Sequence, residues 1–204
     1  MGSTGRVSLQ EYADKYGVYL QGGGTIANPS GNPKLIDDGF TDKEVRKMLD
    51  MIGEVQREFG MTELVTTLTS NTGLDDFMGK GEYDGGVVRV NPNSTALREE
   101  GFATIYHEAG HGIVNTLSNR FFAGKSLNSG VMANRIVHEA QSTLRNRFGE
   151  SASDYISNYG LTNNNELVAE AVRDYMLHGS NSAPMSQAIV HRLHNWVGKY
   201  NNGD

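Results

Sequence analysis

The sequence contains no cysteine, no block of basic residues and no long hydrophobic run. Without cysteine there are no disulfides, no cysteine-based zinc sites and no cysteine nucleophiles, so any metal must be bound by histidine and carboxylate side chains. The net charge is −6, with 24 acidic and 18 basic residues mixed along the chain, which argues against a nucleic-acid-binding surface. The longest apolar runs are too short to span a membrane.

The chain length of 204 residues is enough for one domain with a substantial core. Residues 1–20 have no apolar segment after a basic start, so we expect no Sec signal peptide and a cytoplasmic location. Secretion by another route, or as part of a larger protein, is left open, and so is the oligomeric state.

Hydrophobic periodicity predicts an α+β domain with a small strand-containing part before a helical part. Residues 21–40 are rich in Gly, Asn and Pro and have no periodicity. Residues 1–40 are therefore expected to form an N-terminal arm, packed on the core or mobile, and a glycine-rich loop, with the domain itself at 41–204. Helices are predicted at 41–60, 96–117, 131–148, 165–177 and 184–200, and strands at 64–69 and 86–91.

An HExxH motif, His107-Glu108-Ala109-Gly110-His111, lies inside the helix predicted at 96–117. Histidines four residues apart lie one above the other on a helix, so both imidazoles can bind one ion, and Glu108 is rotated towards its open coordination position. Zn²⁺ with three protein ligands keeps a fourth position for water, whose proton Glu108 can accept. A chance HExxH in this length is on the order of one in a hundred. Glycine is unfavourable inside a helix, so Gly110 predicts close packing or room at the site.

The third metal ligand must come from elsewhere in the chain. In the longer zinc motif H-E-x-x-H-x-x-G-x-x-H a glycine and a third histidine follow, but this chain has Val114 and Leu117 at those two positions. His138 is interpreted as an ordinary helix residue, and His191 and His194 as part of a solvated helix face. A carboxylate ligand is therefore expected.

Two glutamates on the helix predicted at 165–177 are suited to that role. Glu166 and Glu170 are four residues apart and have mostly apolar neighbours, and burying an unpaired carboxylate is costly. We predict Glu166 as the third zinc ligand and Glu170 as the hydrogen-bond acceptor for a ligand imidazole. The alternative is a solvated face on which Glu170 pairs with Arg173. Tyr159, in the preceding loop, is either a donor to a reaction oxyanion or a packing or surface tyrosine.

The HEAGH sequence and the later Tyr-Gly-x-Thr-Asn-x-x-Glu-x-x-Ala-Glu-Ala sequence together resemble a known group. They are similar to gluzincin metallopeptidase domains of the anthrax lethal factor type, and to zincin-like peptidase domains found with phage head-morphogenesis proteins and in bacterial toxins. The similarity covers about residues 83–195, and residues 1–60 match nothing in these groups. Leu167 and Val168 depart from it, because an aromatic pair often follows the ligand glutamate.

The resemblance implies a zincin-like fold with a small sheet, an active-site helix and a C-terminal helical part. It also implies a role for each residue of the motifs. These are His107, His111 and Glu166 as zinc ligands, Glu108 as the general base, Glu170 as the carboxylate behind a ligand histidine, and Tyr159 as a transition-state stabiliser.

The function expected from motif and resemblance is a zinc-dependent endopeptidase acting on a protein or peptide substrate. An edge strand near Tyr83 to Val88 would pair with the extended substrate. Two alternatives are kept. One is a non-catalytic phage or mobile-element module that retains the fold as a structural or binding unit. The other is a toxin protease domain with one specific host protein as substrate.

Overall fold

A computed structural model of the protein describes residues 7–22, 30–71, 79–122, 129–148 and 163–203. Within these residues the chain is a mixed α+β domain with eight α-helices and one four-stranded sheet. The helices are α1 (Leu9–Asp14), α2 (Lys34–Asp37), α3 (Asp42–Phe59), α4 (Thr95–Glu99), α5 (Thr104–Phe122), α6 (Ser129–Phe148), α7 (Asn164–His178) and α8 (Pro184–Asn202). The strands are β1 (Tyr19–Leu20), β2 (Thr67–Ser70), β3 (Gly81–Asp84) and β4 (Val87–Val90).

The predicted helices corresponding to α3, α6, α7 and α8 are confirmed within a few residues. Helix α3 begins with the expected capping box, in which the Thr41 hydroxyl accepts from the Glu44 amide and the Glu44 carboxylate accepts from the Thr41 amide. It ends at Gly60, whose φ of 61° is left-handed and suits glycine. Local sequence signals are sufficient here because both ends are determined by neighbouring residues.

The single helix predicted at 96–117 is wrong, because the chain forms two helices, α4 and α5. Gly101 and Phe102 both have left-handed backbone angles, with φ of 62° and 69°, and such angles end a right-handed helix. The Phe102 amide donates to Leu97 O at 2.9 Å, which closes α4. Phe102 tolerates this conformation because its buried side chain packs in the core beside Phe40.

The N-terminal residues predicted as an arm pack on the core, and the predicted long loop is partly wrong. Residues 34–37 form the short helix α2, and the buried Leu35 and Phe40 belong to the same hydrophobic core as the rest of the domain. Helix α1 packs on α3, where the hydroxyls of Tyr12 and Tyr16 both donate to Asp50 Oδ1 at 2.6 Å. The N-terminal region is therefore held on the domain by buried apolar side chains that show no helical or strand periodicity in the sequence.

The sheet has the order β1-β2-β4-β3. Strands β1, β2 and β4 are parallel, and β3 is antiparallel to β4. The predicted strands at 64–69 and 86–91 correspond to the shorter β2 and β4. The edge strand expected near Tyr83 to Val88 needs correction. That range spans the end of β3, the Gly85-Gly86 turn and the start of β4. Of these two strands, only β3 lies at an edge of the sheet.

Helix α5 is the centre of the helical part. It packs against β3 on one side and against α6 and α7 on the other, and α8 packs across α6 and α7. Fully buried Ile105, Ile113 and Leu117 anchor α5 in the core. This arrangement lays the HExxH helix between the edge strand and α7. None of the helices in the described ranges combines the length and apolarity required to cross a bilayer.

Candidate metal centre

The two histidines of the HExxH motif project from consecutive turns of α5. Their Nε2 atoms lie 3.2 Å apart, and the rings meet edge to face with centroids separated by 4.9 Å. His107 is 7% exposed and His111 is partly buried. Helical spacing thus produces the predicted convergence of both imidazoles on one point.

Gly110, between the histidines, allows α7 to approach α5 closely. A Cβ at this position would lie 2.9 Å from Ala169 Cα, 3.2 Å from Val172 Cβ and 3.3 Å from Ala169 O. Such contacts are tighter than ordinary van der Waals separations of about 3.5–4.0 Å. Gly110 therefore has the packing role expected from the sequence, and the close approach brings the first turns of α7 to the histidines.

Glu166 is the residue of α7 that reaches both imidazoles. Its Oε2 lies 3.1 Å from His107 Nε2 and its Oε1 lies 3.5 Å from His111 Nε2. The side chain of Asn163 caps α7 by accepting from the Glu166 amide at 3.0 Å, which determines where the helix and its first carboxylate begin. The structure thus brings together the three residues predicted as metal ligands.

The spacing of these three side chains fits a divalent metal ion. One ligand atom from each of His107, His111 and Glu166 can be chosen so that all lie within 4.8 Å of one another. A tetrahedral zinc ion with bonds near 2.0–2.1 Å would separate any two ligand atoms by about 3.3 Å. The two Nε2 atoms are 3.2 Å apart, and each lies 3.1 or 3.5 Å from a different oxygen of the Glu166 carboxylate, so these pairwise separations are all close to that value. Two imidazoles and a carboxylate also match the ligand preferences of zinc.

Glu170 lies behind His107 and contacts its other ring nitrogen. Glu170 Oε2 is 3.2 Å from His107 Nδ1, while its Oε1 accepts from Arg173 Nη1 at 2.7 Å. Both partners considered from the sequence, the imidazole and Arg173, are therefore present together on one carboxylate. An Nδ1–H that donates to Glu170 leaves Nε2 of His107 available as a metal ligand.

The electrostatics of the cluster reflect several carboxylates around two imidazoles. Burial disfavours a charged His107, but the hydrogen bonds to Glu166 and Glu170 outweigh it and raise the pKa of His107 to about 9. Hydrogen bonds from His107 and His111 hold the pKa of Glu166 well below its ordinary value. The site therefore attracts positive charge, which a proton on His107 or a divalent cation can supply.

Glu108 lies beside the histidines, with its carboxylate close to Gly81 of β3. It is 5% exposed, and a Cβ at Gly81 in β3 would lie 3.7 Å from its Oε1. Burial raises the pKa of Glu108, and the negative charges of Glu166 and Glu82 add to this effect against the opposing imidazoles. A carboxylate with a raised pKa beside a metal site is suited to accepting and returning a proton.

A cleft of about 420 Å³ opens over these groups. One wall is the edge strand with its turn, the floor is α5, and the opposite wall is the start of α7. His107, Glu108, His111 and Glu166 all line it. The ligand cluster and the adjacent carboxylate are thus accessible from one opening.

Two further residues at this cleft were not identified as site residues from the sequence. The ring of Tyr83 stacks on His111 with centroids 6.4 Å apart, and its hydroxyl accepts from Asn115 Nδ2 at 3.4 Å. Asn115 follows His111 by four residues, so helix periodicity could have indicated its position. Tyr83 belongs to another element, and no local pattern connects it with α5.

The other residues considered from the sequence do not join this cluster in the described part of the chain. Tyr159 lies outside the described residues. His138 and His191 are exposed on α6 and α8, and His194 stacks on Phe59 beside Glu58. Over the described part of the chain, only His107, His111 and Glu166 form a group of three that could bind a metal ion.

No protein-family model, curated protein or solved structure matches this chain.

Proposed function

We propose that this protein is a zinc-dependent endopeptidase of the gluzincin type, with a zincin-like fold. The observation that carries the proposal is the convergence of His107, His111 and Glu166 at separations of 3.1–3.5 Å. Glu108 lies beside this cluster on the same cleft. A metal-binding protein without catalytic activity would not need that fourth, non-ligand carboxylate, which favours the enzyme over a structural module.

The chemistry would be hydrolysis of a peptide bond. Zinc, when bound, would supply a Lewis acid that lowers the pKa of a coordinated water and polarises the scissile carbonyl. Glu108 would accept the proton of the attacking water and then deliver it to the leaving amine. Glu170 would keep the Nδ1 proton on His107 and so keep Nε2 directed at the metal. Tyr159 is proposed, from its position in the sequence and from the resemblance, as a donor to the oxyanion.

The substrate would be an extended segment of a protein or peptide lying along β3. One side of β3 pairs with β4, and Gly81, Tyr83 and Asp84 line the cleft next to the ligand cluster. A strand at the border of a sheet offers backbone donors and acceptors to an added strand. Gly81 has no side chain between this strand and Glu108, so a substrate backbone paired here would lie close to the general base.

The test compares wild-type protein with Glu108→Gln for zinc content and for cleavage of a peptide library. We expect wild type to bind zinc in about a one-to-one ratio and to cleave peptides. A chelator should abolish cleavage and added zinc should restore it. Glu108→Gln should bind zinc normally and lose at least about 100-fold in kcat. Glu58→Gln, which changes an exposed carboxylate of α3 away from the cleft, is the matched control and should stay active.

Three results would contradict the proposal. Cleavage by Glu108→Gln at the wild-type rate would disprove the proton-transfer role. A wild-type protein that binds no zinc would disprove the metal site and the enzyme class with it. Zinc binding without cleavage of any peptide would favour the non-catalytic module, and cleavage confined to one protein would favour a dedicated toxin-type protease.

A further inference from the structure

A chain of four alternating charges extends from the metal cluster to the cleft wall. Glu170 accepts from Arg173 Nη1 at 2.7 Å, and Arg173 Nη2 lies 3.3 Å from Glu100 Oε2. The other oxygen of Glu100 is ion-paired with Lys80, the residue immediately before β3. Because Glu170 also contacts His107, the chain connects a ligand histidine on α5 with α7, the end of α4 and the start of the edge strand.

Arg173 is the member of this chain that bridges two carboxylates. One nitrogen of its guanidinium contacts Glu170 and the other contacts Glu100. The planar fork of arginine can satisfy two partners at a fixed angle, whereas lysine offers one compact ammonium. With Oε1 engaged by Arg173, Glu170 presents Oε2 to His107, so the direction of the carboxylate is determined from both sides.

We infer that Arg173 is a positioning residue for the metal centre. It orients Glu170 by bridging that carboxylate to Glu100, and through Glu170 it fixes the ring of His107. The inference rests on the proposed metal site, because the ring orientation matters only if His107 is a ligand. A carboxylate that accepts a hydrogen bond from a metal-bound histidine raises metal affinity. Arg173 holds that carboxylate in turn, by connecting it to Glu100 between α4 and α5.

A substitution that conserves charge can separate the loss of the Arg173 bridge from the loss of a charge. Lysine carries the same positive charge as arginine, so Arg173→Lys leaves the net charge near the metal unchanged. The Coulomb attraction between site and cation is therefore preserved, and a change in affinity reports the loss of the bridge. Arg135→Lys is the matched control, since Arg135 forms a solvent-exposed i,i+4 pair with Glu139 on α6.

The measurements are the zinc dissociation constant, by competition with a chromophoric chelator, and the visible absorption of the Co²⁺-substituted protein, which reports ligand geometry. We expect Arg173→Lys to weaken zinc binding by about three- to tenfold and to shift the cobalt spectrum. Arg135→Lys should change neither. Glu100→Gln should weaken binding in the same direction. The double variant should be no weaker than the worse single variant, because both changes break one bridge.

Three outcomes would overturn the inference. Arg173→Lys could bind zinc as tightly as the control with an unchanged cobalt spectrum. It could lower the unfolding temperature of the metal-free protein without affecting zinc affinity, which would indicate a purely structural role. The effects of Arg173→Lys and Glu100→Gln could also be additive, which would separate the two residues. Failure of the wild-type protein to bind zinc is a different result, because it would remove the proposed function as well.

Discussion

Replacing Gly110 with alanine tests whether the close contact between α5 and α7 builds the proposed metal centre. The new Cβ would lie 2.9 Å from Ala169 Cα and 3.3 Å from Ala169 O, both of which are backbone atoms. Normal carbon–carbon contacts are about 3.5–4.0 Å, so α7 must move by about 0.6–1 Å near Ala169. Ala169 lies between Glu166 and Glu170, so the shift reaches both carboxylates.

The effects on stability and on metal binding should differ in size. Overpacking costs about 1–3 kcal/mol, and alanine in a helix gains back about 1 kcal/mol relative to glycine. The free energy of unfolding of the metal-free protein should therefore fall by about 0–2 kcal/mol. Metal sites tolerate errors of only about 0.2 Å in ligand distance, so zinc affinity should fall by at least about tenfold.

Gly198→Ala in α8 is the matched control, because a Cβ there meets no atom within 4 Å. It should raise the free energy of unfolding by up to about 1 kcal/mol and leave zinc affinity unchanged. The assays are urea unfolding in excess chelator and zinc titration by competition. If Gly110→Ala binds zinc as tightly as Gly198→Ala and gains the same stability, the proposed role of the α5–α7 contact is wrong.

Three further predictions concern proton competition, ligand identity and the N-terminal packing. Because the pKa of His107 is raised to about 9, zinc must displace its proton, and the observed zinc association constant should rise about tenfold per pH unit from pH 6.5 to 9. A His107 pKa that is higher in the folded than in the unfolded protein stabilises the fold at pH values below the unfolded pKa. The free energy of unfolding of the metal-free protein, measured with urea, should therefore fall by up to about 3 kcal/mol over the same pH range. A free energy of unfolding that does not change with pH would contradict this. Glu166→Gln should weaken zinc binding by more than about 100-fold by chelator competition, whereas the same change at the exposed Glu58 of α3 should have no effect. Gly53→Ala should cost about 1–3 kcal/mol in urea unfolding without changing zinc affinity, since its Cβ would lie 2.2 Å from the Tyr16 ring.

The sequence alone determined the features that depend on neighbouring residues. The HExxH spacing was sufficient for two converging imidazoles, because four residues make about one helical turn. The capping box at Thr41 and the glycine at position 60 marked both ends of α3. Two glutamates four residues apart among apolar neighbours, Glu166 and Glu170, were enough to predict a carboxylate ligand, because buried charges need partners.

The way in which distant segments meet depends on long-range packing, which local sequence patterns do not reveal. The break at Gly101 and Phe102 was missed because helical periodicity continues through it, and the left-handed angle at Phe102 is supported by core packing. Tyr83 contacts the proposed metal centre directly, and Glu100 and Lys80 are connected to it through Arg173 and Glu170, but no local pattern indicated their positions. The physical reason is that long-range packing, here the contact of Gly110 with Ala169, selects which surfaces of two helices face each other.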